Sequence, residues 1–209
     1  MTPSRPSWLA NLLRGRLAVQ ILTTLLERSG YRVTRLGIEE LFDEVKYLDR
    51  QHYLALGLPE QLRTLPDLLV ADPGVTWAKL IEVKFRRTFG RNTADELFAT
   101  LTEQRSFWPQ SYAVIIVGEP FLPGDGYHQD HIRVIPPNQI ELLRGPRGID
   151  IPTDERDAMH LLWAQLPTLS TIFRFRDFEH FGEEGKHRER DFWNDADLIA
   201  SVIRELGHL

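Results

Sequence analysis

The chain has 209 residues, 42% hydrophobic and 26% charged, the composition of a soluble globular protein with one substantial core and room for an appendage. It contains no cysteine, which excludes disulfides and thiolate metal sites and suits a reducing cytoplasm. A net charge of -5 argues against non-specific coating of nucleic acid, and the chain shows neither a signal-peptide core after Met1 nor the run of roughly 18 apolar residues that a membrane span needs.

Charge is unevenly placed. Residues 1–37 carry six arginines (Arg5, Arg14, Arg16, Arg28, Arg32 and Arg35) and one acid, Glu27. Lys84, Arg86, Arg87 and Arg91 form a second basic run, while acids gather at Glu39, Glu40, Asp43 and Glu44 and again from Asp177 to Asp197. A locally basic face on an acidic protein is the expected result.

In chain order, Leu9, Leu12, Leu13, Leu17, Ile21, Leu25 and Leu26 recur at helical spacing and predict a helix over 8–29, stopped at Gly30. Tyr31 to Leu36 alternates and predicts a strand. Leu41, Phe42, Val45, Leu48 and Tyr53 predict an inserted helix over 38–56, ended by Gly57-Leu58-Pro59. Two strands are expected near 67–71 and 77–85, joined by an Asp72-Pro73-Gly74 turn. Asn92 or Thr93 is placed to cap a helix reaching about Phe107, before Trp108-Pro109. The apolar run Tyr112–Val117 reads as a buried strand, 119–130 as a loop, and His131–Ile135 as a further strand. Beyond these, 155–165 reads as helix, 171–175 as strand, 182–192 as charged loop and 194–207 as a terminal helix. The order predicts an α/β protein with a mixed central sheet flanked by helices. The core spans 1–140, with 38–60 as its inserted helical segment, and 141–209 is an extra C-terminal α/β segment packed on it.

Chemistry concentrates at Leu65-Pro66-Asp67-Leu68-Leu69-Val70 and, fifteen residues beyond Asp67, at Glu82-Val83-Lys84. The strand-turn-strand spacing would bring Asp67, Glu82 and Lys84 to one point. Hard divalent cations such as Mg²⁺ prefer oxygen ligands, which the carboxylates of Asp67 and Glu82 and the carbonyl of Val83 can supply. Glu82 and Lys84 are two apart, so both leave one face of the strand, where an ammonium can orient a water or offset charge on a phosphate. Leu80, Ile81, Val83 and Phe85 surround them, and two charges on a buried strand need a reason. The competing reading is an ion pair on an α/β scaffold with no ligand.

From about Gly15 to Gly118 these residues and the order of elements resemble the PD-(D/E)xK nuclease superfamily, of restriction-endonuclease-like fold, and in particular nucleases of Holliday-junction-resolvase type. The resemblance implies that Asp67, Glu82 and Val83 hold Mg²⁺, with Mn²⁺ able to substitute, and that Lys84 is the catalytic lysine of a DNA endonuclease. It adds Gln104 to the catalytic set, four residues before Trp108, in the manner of a Gln-x-x-x-Tyr element. Dimerisation is common in such nucleases, though nothing in the sequence dictates it. One departure stands out. Resolvase-type relatives often carry a glutamate in the first helix, and the frame set by Gly15 and Gly30 puts Val19 there, with Gln20 beside it. A catalytically inactive relative that binds DNA or a protein partner is therefore the alternative.

Arg86, Arg87 and Arg91, beside the site, read either as phosphate contacts or as an ordinary solvated run. Asp43-Glu44-Val45-Lys46 repeats Glu-x-Lys in a helical pattern, where residues two apart do not share a face, and reads as a decoy. His128-Gln129-Asp130-His131 lacks the three or four convergent ligands of a zinc site. Glu27 reads as a solvated helix residue, and Tyr47, Tyr53, Trp77 and Trp163 as core or half-buried aromatics.

Overall fold

A computed structural model describes residues 5–41, 45, 48, 50–119, 131–145, 154–173, 194–197 and 199–205. Five strands, β1 (Arg32–Arg35), β2 (Leu68–Ala71), β3 (Ala78–Arg86), β4 (Tyr112–Val117) and β5 (Ile132–Ile135), lie in spatial order β1-β2-β3-β4-β5. All neighbours are antiparallel except β3 and β4, which are parallel. The protein is thus α/β, with a mixed five-stranded sheet flanked by helices, a layout compatible with a restriction-endonuclease-like fold.

Strand alternation sorts the side chains into two cores. Val114 and Ile116 of β4, with Leu68, Val70, Ile81 and Val83, face a long first helix, α1 (Arg5–Arg28). That helix contributes Ala18, Leu22, Leu25 and Leu26, spaced as one face requires. Ala113, Ile115 and Val117 face the opposite way, toward Ala94, Leu97 and Leu101 of the helix between the two parallel strands (Arg91–Phe107). A parallel pair needs such a crossover. The C-terminal third serves both cores. Ala158, Met159, Leu162 and Trp163 of the helix Glu155–Gln165 join the second, while Leu169, Ile172, Phe173, Ala196 and Ile203 close over the first.

Among the described residues α2 (Ile38–Leu41) and α3 (Arg50–Ala55) are separate short helices where one helix over 38–56 was expected, and α4 (Glu60–Arg63) follows. Leu48 between them is not helical. Gly57 takes a φ of +60° just beyond α3, as a helix stop requires. The helix Arg91–Phe107, α5, starts one residue before the expected caps, with Gly90 at its N-cap and no side-chain cap bond. The helix Glu155–Gln165, α6, lies where periodicity put it, and the Asp154 carboxylate caps it by accepting from the N–H groups of Arg156 and Asp157. Thr171 ends a 3-10 turn, Leu169–Thr171, rather than starting a strand. The alternation of Thr171-Ile172-Phe173 is misleading because Ile172 and Phe173 are both buried, which a strand with one covered face does not allow. Residues 174–175, the 182–192 stretch, His128, and Asp43, Glu44, Lys46 and Tyr47 lie outside the described residues. Among the described residues no helix is long and apolar enough to cross a membrane.

The β2–β3 turn is held by one buried acid. Asp72 accepts from the Trp77 N–H at 2.8 Å and from the Thr76 hydroxyl at 3.0 Å. Burial works to raise this carboxyl, but those bonds, with the N–H groups of Thr76 and Gly74, outweigh it and hold the group below its ordinary 3.8. A depressed carboxyl stabilises the fold above its ordinary value and loses that contribution as pH falls through its folded value. Asp72→Asn should therefore cost about 1–2 kcal/mol at neutral pH. Urea unfolding across a pH series checks this: the gap to wild type should close well below 3.8, and a constant gap would refute the charge argument.

Candidate active site

The site arises where a ladder of strand pairs stops. β2 and β3 pair from Ala71↔Ala78 to Leu68↔Ile81, and β3 then continues to Arg86 without that neighbour. Pro66 explains the break, since it has no N–H to donate and a fixed φ. Beyond it the Val83 N–H, turned toward the missing strand, donates to Asp67 Oδ2 at 2.7 Å. Strand geometry turns the Val83 carbonyl to the same open edge. Asp67 is itself anchored by its own carbonyl, which accepts from the Leu36 N–H at 2.8 Å.

Glu82 sits on this edge, only 6% exposed, and both its oxygens are engaged. Lys84 Nζ contacts Oε1 in an ion pair, and Gln104 Nε2 donates to Oε2 at 2.5 Å. Burial alone would drive the Lys84 ammonium toward neutrality. The Glu82 carboxylate, by charge and by hydrogen bond, and the nearby Asp67 carboxylate outweigh burial and the repulsion of Arg86, so Lys84 titrates above its ordinary 10.5. The lysine therefore carries its charge throughout the physiological range.

Gln104 and Trp108 tie α5 to the segment that leads into Asp67. The second amide hydrogen of Gln104 goes to the Thr64 carbonyl at 3.3 Å, and the Trp108 indole N–H donates to the Gln61 carbonyl at 3.3 Å. With both its donors used, Gln104 Oε1 is buried and has no hydrogen-bond partner. The four predicted residues Asp67, Glu82, Lys84 and Gln104 are thus joined through Val83 and the Thr64 segment.

Two clefts meet at Glu82 and Lys84. The larger, about 600 Å³, runs along α1 and β1 and is lined by Asn11, Arg16, Val19, Gln20, Arg35 and Glu40 as well as Asp67, Val83 and the Glu82–Lys84 pair. The smaller, about 140 Å³, opens toward Arg63 of α4 and Thr100, Glu103 and Gln104 of α5. Val19 stands in the larger cleft where the resemblance expects an acid. Gln20 does not replace that acid: its Oε1 accepts from Arg35 Nη2 at 2.5 Å and its Nε2 donates to Thr24 at 3.1 Å. Glu27 is exposed, away from the cleft. Of the α1 lining, Leu12 and Arg16 were missed in sequence, although they lie four apart in line with Gln20 on a stripe beside the buried one.

The basic run is matched by acceptors. Arg86 pairs with Glu96 at 3.7 Å, Arg87 with Glu119 at 2.7 Å, and Arg91 Nη1 donates to the Arg144 carbonyl at 3.4 Å. None of the three lines the larger cleft. Trp163 is buried and Trp77 lies under the Lys79 ammonium, 3.7 Å from its ring centre, so neither offers a free stacking face. Buried His131 Nδ1 lies 2.8 Å from the Val117 carbonyl.

Among the described residues no three His, Cys, Asp or Glu side chains gather into a metal-holding group. A zinc centre is not what these donors fit. Two carboxylates and a strand carbonyl on one open edge do fit Mg²⁺ or Mn²⁺, which are held by one or two carboxylates and complete their shells with water and phosphate oxygens. Glu82 Oε1 becomes a ligand only if Lys84 shifts from it. No protein-family description, curated protein or solved structure matches the chain.

A raised lysine stabilises the fold below its ordinary value and loses that contribution as pH climbs through its folded value. Lys84→Met should leave the Glu82 carboxylate with Gln104 alone and cost about 1–3 kcal/mol at neutral pH. Adding Glu82→Gln should recover part of the loss. Chemical denaturation should show the single-variant gap narrowing above 10.5, and no cost at neutral pH would mean that the pair does not support the fold.

Proposed function

We propose that the protein hydrolyses phosphodiester bonds of nucleic acid with a divalent metal, as a nuclease with a PD-(D/E)xK centre at Asp67, Glu82 and Lys84. The observation that carries this is the open β3 edge, where two carboxylates and one permanently charged ammonium share the wall of a single cleft. Mg²⁺ or Mn²⁺ on Asp67, Glu82 and the Val83 carbonyl would supply an acidified water and positive charge beside the phosphate. The chain's own residues do the rest. Asp67 is aimed by the Val83 N–H, and Gln104 fixes the Glu82 carboxylate from behind. Lys84, once off Glu82, offers its charge to the non-bridging phosphate oxygens, the stabilisation that matters most as charge develops. Arg86, Arg87 and Arg91 serve a DNA backbone only by leaving their present acceptors, which makes those contacts salt-dependent and blind to sequence. The absence of cysteine suits a cytoplasmic setting. DNA is the partner we assign.

A second reading has its own support. The acid expected on α1 is Val19, and Gln20 is committed to Arg35 and Thr24. A site with one carboxylate fewer binds metal more weakly, and the fold would then serve to bind DNA or a protein without cutting.

Calorimetric Mn²⁺ titration together with cleavage of duplex, branched and single-stranded DNA separates the two. Asp67→Asn and Glu82→Gln should each lose both metal binding and cleavage. Lys84→Ala should keep much of the metal affinity and lose about 10²–10³ in rate. Val19→Glu should tighten Mn²⁺ binding. A wild type that binds no Mn²⁺ and cuts nothing with either metal overturns the nuclease reading, while cleavage gained only in Val19→Glu establishes the second.

A further inference from the structure

The larger cleft has two walls that the catalytic trio does not explain. One is cationic. Arg35 on β1 is held by Gln20 Oε1 at 2.5 Å and by Glu40 Oε1 at 3.4 Å, so its guanidinium is oriented before any ligand arrives. Arg16 lines the same space from α1, and with Lys84 three cations on three elements match the three carboxylates Glu40, Asp67 and Glu82. The protein is acidic overall, yet this cleft is balanced without a metal and positive with one. The other wall is apolar. Leu13 and Leu17, one helical turn apart, line the cleft while remaining 49% and 40% exposed.

Size limits what can use both walls. About 600 Å³ lies within the range of pockets for small ligands and holds one or two nucleotides at most. A scissile phosphate has to approach Glu82 and Lys84, whose side chains are 8% and 24% exposed. A stacked duplex holds its phosphates on a stiff outer surface, whereas an unpaired strand, or a nucleotide drawn out of its stack, can follow such recessed groups into a cleft. A charged wall for phosphates beside an apolar wall for base and sugar is how proteins hold single strands.

We propose that this cleft receives a single-stranded polynucleotide, with Arg35 as a phosphate contact beyond the scissile position and Leu13 and Leu17 against the bases. The inference rests on the nuclease reading for its ligand class, yet it concerns binding, which needs no turnover.

The test is fluorescence anisotropy in EDTA, using the full chain with labelled oligothymidylate, oligouridylate and a blunt oligoadenylate–oligothymidylate DNA duplex of equal length. Single strands should bind about tenfold or more tighter than the duplex, and the two single-stranded probes report which sugar is preferred. Arg35→Gln should weaken single-strand binding about tenfold, the scale of a charge-assisted bond, with its melting temperature unchanged. Leu17→Gln should weaken it as well, and Arg156→Gln on α6 should not. Duplex binding as tight as single-strand binding, or an Arg35→Gln protein that binds like wild type, overturns the proposal. Cleavage in Mg²⁺ is scored separately: binding of this kind without cutting sinks only the catalytic reading, and duplex cutting without it sinks only this proposal.

Discussion

The arrangement depends on one failed strand pair. Leu68 and Ile81 are the last partners of β2 and β3, and Pro66 prevents the next. A continued ladder would have consumed the Val83 N–H and carbonyl and left Asp67 an ordinary cross-strand neighbour. Its end frees one edge of β3 in the middle of the sheet, while β4 pairs along the other edge. Backbone groups stranded there are costly unless they find partners, and Asp67 answers the Val83 N–H with a carboxylate. The acid is therefore structural and available for chemistry for the same reason.

Glu82 shows how a buried carboxylate can have both oxygens engaged without being inert. Its oxygens are divided between a mobile cation and a fixed amide. The amide is fixed because Gln104 also holds the Thr64 carbonyl, and Trp108 holds Gln61 one turn on. The segment before Asp67 and the carboxylate of Glu82 are therefore set by the same helix. Gln104 Oε1 is left without a hydrogen-bond partner in consequence, a cost that is reasonable where position matters more than stability. Of the two groups on the Glu82 oxygens, only the lysine ends a long flexible stem without a second anchor to hold it in place.

The sheet and the Asp67–Glu82–Lys84 cluster were legible because they obey local rules. Alternation marks β1, a continuous apolar run marks β4, and Pro-Asp followed by Glu-x-Lys marks the ladder's end. What escaped depended on distant partners. The 3-10 turn at Leu169–Thr171 is chosen by Ile172 and Phe173 packing into the same core, which strand alternation cannot reveal. The insertion was read as one helix because Leu41, Phe42, Val45 and Leu48 keep helical spacing, yet Leu48 is not helical. Arg35 gave no signal as an alternating strand residue. Its place in the cleft comes from Gln20, fifteen residues earlier on another element. The basic run was read as free charge because its partners, Glu96 and Glu119, lie ten and more residues away.

Val19 and Arg35 belong to one electrostatic argument. With an acid at position 19, three carboxylates and the Lys84 ammonium together would neutralise a divalent metal held there, whereas the two present carboxylates and Lys84 would leave it one positive charge. Here that wall presents Val19 and an oriented arginine instead. Two carboxylates leave a divalent ion less completely satisfied, so more of its shell and charge must be met by phosphate oxygens. On the nuclease reading, Arg35 would attract those same oxygens. The departure at Val19 would then shift affinity from the metal alone to the metal and the strand together and couple the two ligands: each should bind more tightly in the presence of the other, by a common factor.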